Sequence, residues 1–353
     1  MLTLIVLIVI LGVLIFVHEF GHFITAKKNG AYVYEFALGM GPKIWGFKRK
    51  NDPTQYSLRL FPIGGYCAIA GEDGEDDGSG IKLKKNQYLC NKSISVRCLI
   101  LIAGVLMNFI TGFIILFASA LIWGAPQTES YVGIVPKGYP VSEAGIEVGD
   151  RILAINNKKA GSWDKVTLIL NLKNDSDTYT FKVKKADGEI KEYEITPKVE
   201  KDKAGNETKV FGIGQNPKRH KGIIFAFKYA FKKFFTIIYT MWAIIINLIT
   251  GNISLNALSG PIGIYSVVGE ARHTSLESIL YLTAYLSINL GFMNILPFPA
   301  FDGGRVMLLI IEAIRKKKMN PKIENAINSI GFALLMLLMI IISIKDVINL
   351  IHK

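Results

Sequence analysis

The stretch from Leu2 to Ala26, LTLIVLIVILGVLIFVHEFGHFITA, is apolar apart from three ionisable residues, His18, Glu19 and His22. A helix needs roughly 20 apolar residues to cross the hydrocarbon core of a bilayer, which is about 30 Å thick. We therefore predict that this stretch is a membrane-spanning helix. It would carry three polar side chains within an apolar environment.

The composition of the whole chain favours a membrane protein. Half of the 353 residues are hydrophobic and 20% are charged, and 41 Lys and Arg against 28 Asp and Glu give a formal net charge of +13. In an apolar chain this excess is typical of contact with an anionic membrane surface rather than with nucleic acid. The three cysteines lack the paired spacing of a metal site, which indicates structural thiols.

Four further uncharged runs are candidates for membrane segments: Cys98 to Thr128, Phe234 to Gly269, Ser278 to Phe301 and Asn325 to Ile344. Short loops rich in Lys and Arg favour the cytoplasmic side. One such loop follows the first run and another precedes the last, with the basic residues Lys27, Lys28, Lys43, Lys48, Arg49, Lys50, Lys84, Lys85, Arg315, Lys316, Lys317, Lys318 and Lys322. Two inner loops fit about four transmembrane helices, with the polar middle segment outside.

With about four transmembrane helices, one of the five uncharged runs is not needed as a span, and we identify it as the Phe234 run. It follows a basic and aromatic stretch, Lys218 to Phe235, whose composition suits a helix lying in the membrane interface. Its later part, Ile244 to Ile249, is apolar enough to span. Hydropathy alone leaves both readings open.

The three polar residues of the first run read H-E-x-x-H. On a helix, His18 and His22 share a face and can hold one metal ion together, while Glu19 lies where it could take a proton from water. A charged residue in the middle of a membrane helix costs roughly 2.5–3.5 kcal/mol on the insertion scale, so such residues tend to be functional. The segment therefore predicts a metal site rather than a chance match.

A catalytic zinc site usually takes three protein ligands, and the best third candidate is Asp302. It follows the run that contains Asn294, Pro297 and Pro299, whose prolines interrupt the helix and free backbone groups that lipid cannot satisfy. The alternative is an ordinary capping or loop aspartate. A shared metal requires Asp302 to reach the depth of His18, hence an even number of spans, so we predict that Phe234 to Gly269 is surface-lying or re-entrant.

The pairing of this H-E-x-x-H helix with the later N-x-x-P-x-P-x-x-D-G stretch resembles the site-2 protease family of intramembrane zinc metalloproteases. Further stretches resemble its bacterial RseP-like branch: Ala103, Gly104 and Asn108, Phe61 to Tyr66, and Leu258 to Gly263. The resemblance implies Zn2+ as cofactor, the ligands His18, His22 and Asp302, Glu19 as catalytic base and Asn294 as a substrate contact. One departure is Arg305, where some members carry a histidine.

A protease must hold a transmembrane helix extended before water can attack it, and an exposed strand edge can do so. Tyr56 to Ile69 alternates like a strand and contains Gly64 and Gly65, a turn signal. It resembles the membrane-associated β-hairpin of the family, which makes Gly64, Gly65 and Tyr66 candidates for substrate binding. The alternative is an ordinary surface hairpin.

The polar segment between about Gln127 and Lys198 resembles a single PDZ domain. The resemblance rests on the run Ala144 to Asp150, AGIEVGD, between predicted strands. Such a domain binds exposed C-termini or excludes substrates that have bulky outer domains, and we favour the filter.

Together these features predict a polytopic α-helical membrane protein with an inserted extracytoplasmic PDZ domain, a β-rich α+β unit, and a membrane-associated β-hairpin. The predicted order is transmembrane helix 1 at 1–26, a cytoplasmic loop at 27–97 with the hairpin at about 56–70, helix 2 at 98–126, the PDZ domain at 127–200, the amphipathic or re-entrant region at 201–272, helix 3 at 273–311, a basic loop at 312–324 and helix 4 at 325–348.

The predicted function is intramembrane zinc endopeptidase in the plasma (inner) membrane of a bacterium. By the family resemblance, the substrates are single-span membrane proteins, such as anti-sigma factors or remnant signal peptides, after an upstream site-1-type protease has trimmed them. Two alternatives remain: a membrane-anchored zinc metalloprotease with a cytosolic site, for which Glu312 is the available acidic residue, and a non-enzymatic membrane PDZ scaffold.

Overall fold

A computed structural model describes residues 1–72, 81, 83–172, 177–201, 207–252 and 260–351. In chain order the helices are α1 (Leu2–Lys28), α2 (Ile94–Trp123), α3 (Pro140–Glu143), α4 (Trp163–Asn171), α5 (Ile223–Ile249), α6 (Pro261–Thr274), α7 (Leu276–Ile295), α8 (Asp302–Arg315) and α9 (Pro321–Ile351). The strands are β1 (Val33–Lys48), β2 (Gln55–Ile69), β3 (Ala125–Pro126), β4 (Val132–Ile134), β5 (Arg151–Ile155), β6 (Lys158–Lys159), β7 (Tyr179–Lys184), β8 (Ile190–Ile195), β9 (Lys198–Lys201), β10 (Glu207–Val210), β11 (Gly214–Gln215) and β12 (Arg219–His220).

The chain divides into two units. The first comprises Met1–Ile115 and Gly263–Ile341, and the second comprises Leu116–Ile262 and Ile342–Lys353. In the described part of the chain, five helices are long and apolar enough to cross a membrane, namely α1, α2, α5, α7 and α9. The four predicted spans are among them, and the fifth is the Phe234 run. Its helix, α5, is continuous, so length and composition alone do not distinguish a spanning helix from a surface-lying one.

The predicted third span, residues 273–311, is two helices rather than one. Helix α7 ends at Ile295 and α8 begins at Asp302. The break contains Pro297 and Pro299, which lack the backbone N–H of a helix and disfavour helical geometry in the preceding residue. The metal-site candidate Asp302 is therefore the first residue of a new helix.

The loop between these helices is held from two sides. Ala300 has a φ of 78°, a left-handed conformation that costs an L-residue about 1–2 kcal/mol. Its N–H donates a hydrogen bond to Oδ1 of Asn328 on α9, at 3.4 Å. A Cβ at Gly331 of α9 would lie 2.7 Å from the carbonyl oxygen of Pro299. Helix α9 therefore approaches the loop closely and supports its shape.

In the first unit, β1 and β2 form a sheet that is larger than the predicted hairpin. Residues 33–38 of β1 pair with residues 65–69 of β2, and residues 35–38 also pair with residues 55–58. Residues 43–48 of β1 pair with residues 55–59. The two long strands thus supply four paired segments, and residues 49–54 connect the strands.

The prediction that Gly64 and Gly65 form the hairpin turn is wrong. Both glycines lie inside β2, and Gly64 has a φ of 93°. Such a glycine within a strand is typical of a β-bulge, and the register is irregular here. The glycines therefore bend β2 back along β1 instead of ending it.

A carboxylate joins three segments of this sheet. Glu35 accepts hydrogen bonds from Ser57, from the Arg59 guanidinium at 2.8 Å to each carboxylate oxygen, and from the Tyr66 hydroxyl at 2.6 Å. Partial burial favours the neutral acid, but these hydrogen bonds outweigh it and lower the pKa of Glu35 below its usual value. Burial and the same contact raise the pKa of Tyr66 to about 12.

The β-rich region of the second unit contains a four-stranded sheet in the order β6-β5-β7-β8. Its core is built from buried aliphatic and aromatic side chains, including Ile152, Phe181 and Phe211. Strand β11 pairs with β4, and β12 pairs with β3. The region therefore extends to His220, about twenty residues beyond the predicted end at 200, because Phe211 completes the core. The predicted amphipathic region 201–272 accordingly begins with strands.

Two lysines of α5 form ion pairs with the β-rich region. Lys232 pairs with Glu129, and Lys233 lies 2.7 Å from a carboxylate oxygen of Asp164. The ammonium of Lys165 lies 4.1 Å from the ring centre of Tyr239. The described part of the predicted surface segment 234–269 comprises most of α5 and α6, while residues 253–259 lie outside the described residues.

We expect the substitution Gly331→Ala to destabilise the fold by about 1–3 kcal/mol, because the added methyl group overpacks the contact with Pro299. The measurement is the melting temperature of the detergent-solubilised chain. Ser329→Ala on the exposed face of the same helix is the matched control, and equal melting temperatures of the two variants would contradict the close approach.

We also expect Glu35→Gln to lower stability by about 1–3 kcal/mol at neutral pH, because Arg59 loses its charged acceptor. A lowered folded-state pKa contributes stability above the unfolded pKa, and this contribution is lost as the pH falls through the folded value. The difference between wild type and variant should therefore shrink below about pH 4. Glu189→Gln, which removes an exposed pair with Lys191, should show no such pH dependence; an unchanged difference at low pH would refute this assignment.

Candidate metal centre

The two histidines of the H-E-x-x-H motif lie one turn apart on α1 and face the interior of the first unit. Each has 8% of its surface exposed. Their Nε2 atoms are 3.1 Å apart. The helix therefore presents two imidazole nitrogens side by side, as the i, i+4 spacing predicts.

The structure brings Asp302 to these histidines from a distant part of the sequence. Its Oδ2 atom lies 3.1 Å from Nε2 of His18 and 3.4 Å from Nε2 of His22. In the described part of the chain, these three residues are the group whose ligand atoms lie close enough to hold one metal ion. Oδ2 is buried and has no aligned hydrogen-bond partner among the described residues.

The donor set fits a small tetrahedral cation. Bonds of about 2.0–2.1 Å to nitrogen and oxygen place the ligand atoms of a tetrahedral site about 3.3 Å apart, close to the three distances observed. Two imidazoles and one carboxylate are also a common ligand set of catalytic zinc sites, in which the fourth position stays open. His18, His22 and Asp302 could therefore hold such an ion without rearrangement.

Helix α2 forms the back wall of this site and comes unusually close to α1. A Cβ at Gly21 would overlap the carbonyl of Ala103, and a Cβ at Gly104 would overlap Nε2 of His22. Nδ1 of His22 lies 2.8 Å from the carbonyl oxygen of Ile100. The small residues thus leave the space that the imidazoles occupy.

Asn108 is a further polar residue of α2 at the site. It is fully buried, and its Nδ2 lies 3.2 Å from Nδ1 of His18. In the sequence, Asn108 stands out only as part of the stretch that resembles the family, and no role is predicted for it. The signal available was an amide inside an otherwise apolar span, which needs a partner within the protein.

Glu19 lies between the two histidines in sequence and adjoins the sheet in space. A Cβ at Gly65 would lie 3.7 Å from Cγ of Glu19 and 2.9 Å from the carbonyl oxygen of Ala37. The Glu19 carboxylate has no hydrogen-bond or ion-pair partner among the described residues. It is therefore available to a bound molecule, beside the segment of β2 that contains Gly65.

The other three residues predicted to contact substrate, Gly64, Tyr66 and Asn294, each have different surroundings. Gly64 packs against the Met40 side chain, where a Cβ would be 2.9 Å from its terminal methyl. The Tyr66 hydroxyl is engaged with Glu35 inside the sheet. Asn294 lies in the last turn of α7, and its amide has no partner in the described part of the chain.

Two charged residues that the sequence singled out form ion pairs. Arg305, the departure from the family pattern, pairs with Glu72 just beyond β2. Glu312, the acidic residue considered for a cytosolic site, is buried and lies 2.8 Å from the half-buried Arg97. Its carboxylate is thus used in a structural contact between α8 and α2 rather than in the three-ligand group.

We expect Gly104→Ala to weaken metal binding about tenfold or more, because the methyl group would displace the His22 ring from its position beside Asp302. Metal content after dialysis of the purified full-length chain provides the measurement. Leu106→Ala, on an exposed face of the same helix, should retain the wild-type content; a Gly104→Ala chain that retains it as well would refute this account.

The comparisons with known proteins agree on one family. The model of peptidase family M50 matches residues 6–338. A Clostridium acetobutylicum protein, whose name describes it as a zinc metalloprotease, is 36% identical over 348 residues, which cover 98% of this chain and 97% of the relative.

Relatives that carry the name RasP also match over nearly the whole chain. The regulator of sigma-W protease RasP of Bacillus subtilis is 30% identical over 419 aligned positions, and the zinc metalloprotease RasP of Shouchella clausii is 31% identical over 432, each covering 98% of both chains. The resemblance to site-2 proteases inferred from the motifs is confirmed, and the chain belongs to peptidase family M50.

Proposed function

We propose that this protein is an intramembrane zinc endopeptidase that cleaves the transmembrane segments of single-span membrane proteins. The observation that carries the proposal is the group of His18, His22 and Asp302 with Glu19 beside it, on a helix that is otherwise apolar enough to cross a membrane. Ionisable side chains are costly in such a helix and tend to be functional.

Zinc is the metal that best matches the donors. Two neutral imidazoles and a carboxylate at tetrahedral spacing suit Zn2+, and relatives over nearly the whole chain are named zinc metalloproteases. When bound, zinc supplies a Lewis acid that polarises a peptide carbonyl and makes a coordinated water more acidic. His18, His22 and Asp302 would hold the ion.

The chain's own contribution to the chemistry is the Glu19 carboxylate. It lies on the same turn of α1 as the two proposed histidine ligands, and no described residue forms a hydrogen bond or ion pair with it. In the proposed mechanism Glu19 accepts a proton from the attacking water and then passes it to the nitrogen of the leaving amine.

The sheet would hold the substrate extended. Residues 65–69 of β2 pair with β1 along one edge, and no other described strand pairs along the opposite edge. A peptide added to that edge would form backbone hydrogen bonds close to Glu19, because Gly65 adjoins its side chain. Tyr66 would act indirectly by fixing the strand through Glu35, and Asn294 would offer its amide to the substrate backbone.

The sheet also has features of a membrane-associated element. Its surface exposes large apolar side chains within the two strands, namely Met40, Ile44, Trp45 and Phe47 of β1 and Leu58, Leu60 and Phe61 of β2. A patch of this kind marks contact with another molecule or with lipid. Its presence supports docking of the sheet in the bilayer, where a transmembrane substrate would meet it.

In the proposed topology, α1, α2, α7 and α9 span a bacterial plasma membrane and α5 is surface-lying or re-entrant. Asp302 follows the end of α7 and meets residues near the end of α1, so both helices would run in the same direction across the bilayer. If α5 crossed, the 14 residues of α6 would be too few to return the chain.

The β-rich region would act as an extracytoplasmic PDZ-like filter that admits substrates after a first protease has removed their outer domains. The name of the Bacillus subtilis relative connects that protein with sigma-W regulation. Anti-sigma factors and remnant signal peptides are accordingly the proposed substrate classes.

The test is co-expression of a single-span substrate, lacking its outer domain, with wild type, Glu19→Gln or Asp302→Asn. Only wild type should produce the shorter fragment. The two variants should differ in zinc content, because Glu19→Gln keeps all three ligands and Asp302→Asn loses one. Asp187→Asn, in an exposed turn of the β-rich region, is the control that should still cleave, and cleavage by both site variants would overturn the proposal.

A further inference from the structure

The amide of Asn108 belongs to a residue in the middle of α2 that is fully buried. The residue has no exposed surface. Its backbone carbonyl accepts a hydrogen bond from the buried Ser287 hydroxyl of α7, at 2.8 Å. A buried amide is retained in an apolar span when its hydrogen bonds have a use.

The side chain of Asn108 contacts one ring nitrogen of His18. Its terminal amide lies 3.2 Å from Nδ1 of His18, while Nε2 of the same ring faces Asp302 at 3.1 Å. Its Oδ1 atom is buried and has no hydrogen-bond partner among the described residues. The amide is therefore dedicated to the side of the imidazole opposite the metal-binding atom.

The corresponding ring nitrogen of His22 contacts a group that can play only one role in a hydrogen bond. Nδ1 of His22 lies 2.8 Å from the carbonyl oxygen of Ile100, a group that can only accept a hydrogen bond. The His22 ring proton is consequently held on Nδ1, and the lone pair of Nε2 points toward His18 and Asp302. A backbone carbonyl on α2 thus selects the metal-binding tautomer of His22.

His18 needs the same selection, but its neighbour is an amide with a donor end and an acceptor end. The NH2 end can only donate a hydrogen bond, so Nδ1 must then accept it and the ring proton must lie on Nε2. The oxygen end, brought to Nδ1 by a half-turn about the Cβ–Cγ bond, accepts from Nδ1–H and leaves the lone pair on Nε2. Amide orientation and ring tautomer therefore form a matched pair.

We propose that Asn108 is a positioning residue that sets the tautomer of His18 for zinc, by presenting Oδ1 to Nδ1–H. The inference rests on the proposed zinc site. The imidazole stays neutral throughout, since Nε2 gives up its proton as Nδ1 takes one. The rotation also gives the buried oxygen a donor, which it lacks in the other orientation.

Two substitutions separate this role from packing. Asn108→Leu keeps a similar volume and removes the acceptor, so zinc affinity should fall about 10- to 100-fold. Asn108→Asp offers only acceptors to Nδ1–H, so zinc affinity should equal or exceed that of wild type. A residue that served packing alone would give the opposite order, because a buried carboxylate disturbs an apolar span more than leucine does.

The affinity is measured on the full-length chain in detergent, by competition for zinc with a chromophoric chelator. The visible absorption of the Co2+-loaded chain reports the geometry of the ligands independently. Ser287→Ala removes a contact to the Asn108 backbone only and should leave the zinc affinity within about twofold of wild type. Melting temperatures identify unfolded variants, and Asn108→Ala replaces the leucine variant if that chain does not fold.

Zinc affinity of the folded Asn108→Leu or Asn108→Ala chain within about twofold of wild type would overturn the proposal. So would an Asn108→Asp chain that is folded and weakened as much as the leucine variant. No substrate enters these measurements, so a wild-type chain that binds zinc without cleaving peptide contradicts the proposed protease function and not the role of Asn108.

Discussion

The close approach of α1 and α2 is the contact on which the site depends. In a membrane, a polar side chain must find its partners within the protein, and here α2 supplies them as the carbonyl of Ile100 and the amide of Asn108. They reach the histidines only because Gly21 and Gly104 have no side chain in the way. Two glycines therefore decide whether the H-E-x-x-H motif forms a metal centre or an isolated, costly set of ionisable groups.

The proposed third ligand, Asp302, reaches the same point by a different route. Prolines end α7, Ala300 takes a left-handed conformation, and α8 begins at the aspartate itself. A continuous helix through this region would present Asp302 at a rotation and depth fixed by its periodicity. Because the helix is broken, the position of Asp302 does not have to follow the periodicity of α7. The contacts of the loop with Asn328 and Gly331 then fix that position.

The grouping of the three proposed metal ligands and the general plan of the membrane helices were predictable because their signals are local. Helical spacing puts His18 and His22 on one face, uncharged length identifies membrane helices, and the prolines mark the break before Asp302. The predictions that failed depended on pairing between distant residues. The predicted turn at Gly64 is a bend within β2, because β1 pairs with the residues of β2 on both sides of it. The β-rich region likewise continues past residue 200 because Phe211 packs against strands far from it in sequence. Hydropathy could not reveal either contact.

The ion pairs of α5 link a strongly apolar helix to the β-rich region that precedes it in the chain. Lys233 and Asp164 are 69 residues apart, and Lys232 and Glu129 are 103 apart. In evolutionary terms, α5 cannot change these positions independently of the β-rich region that precedes it. Correlated exchange of charge at the paired positions should therefore accompany divergence among relatives, and a domain transplanted from one relative into another would need its matching lysines.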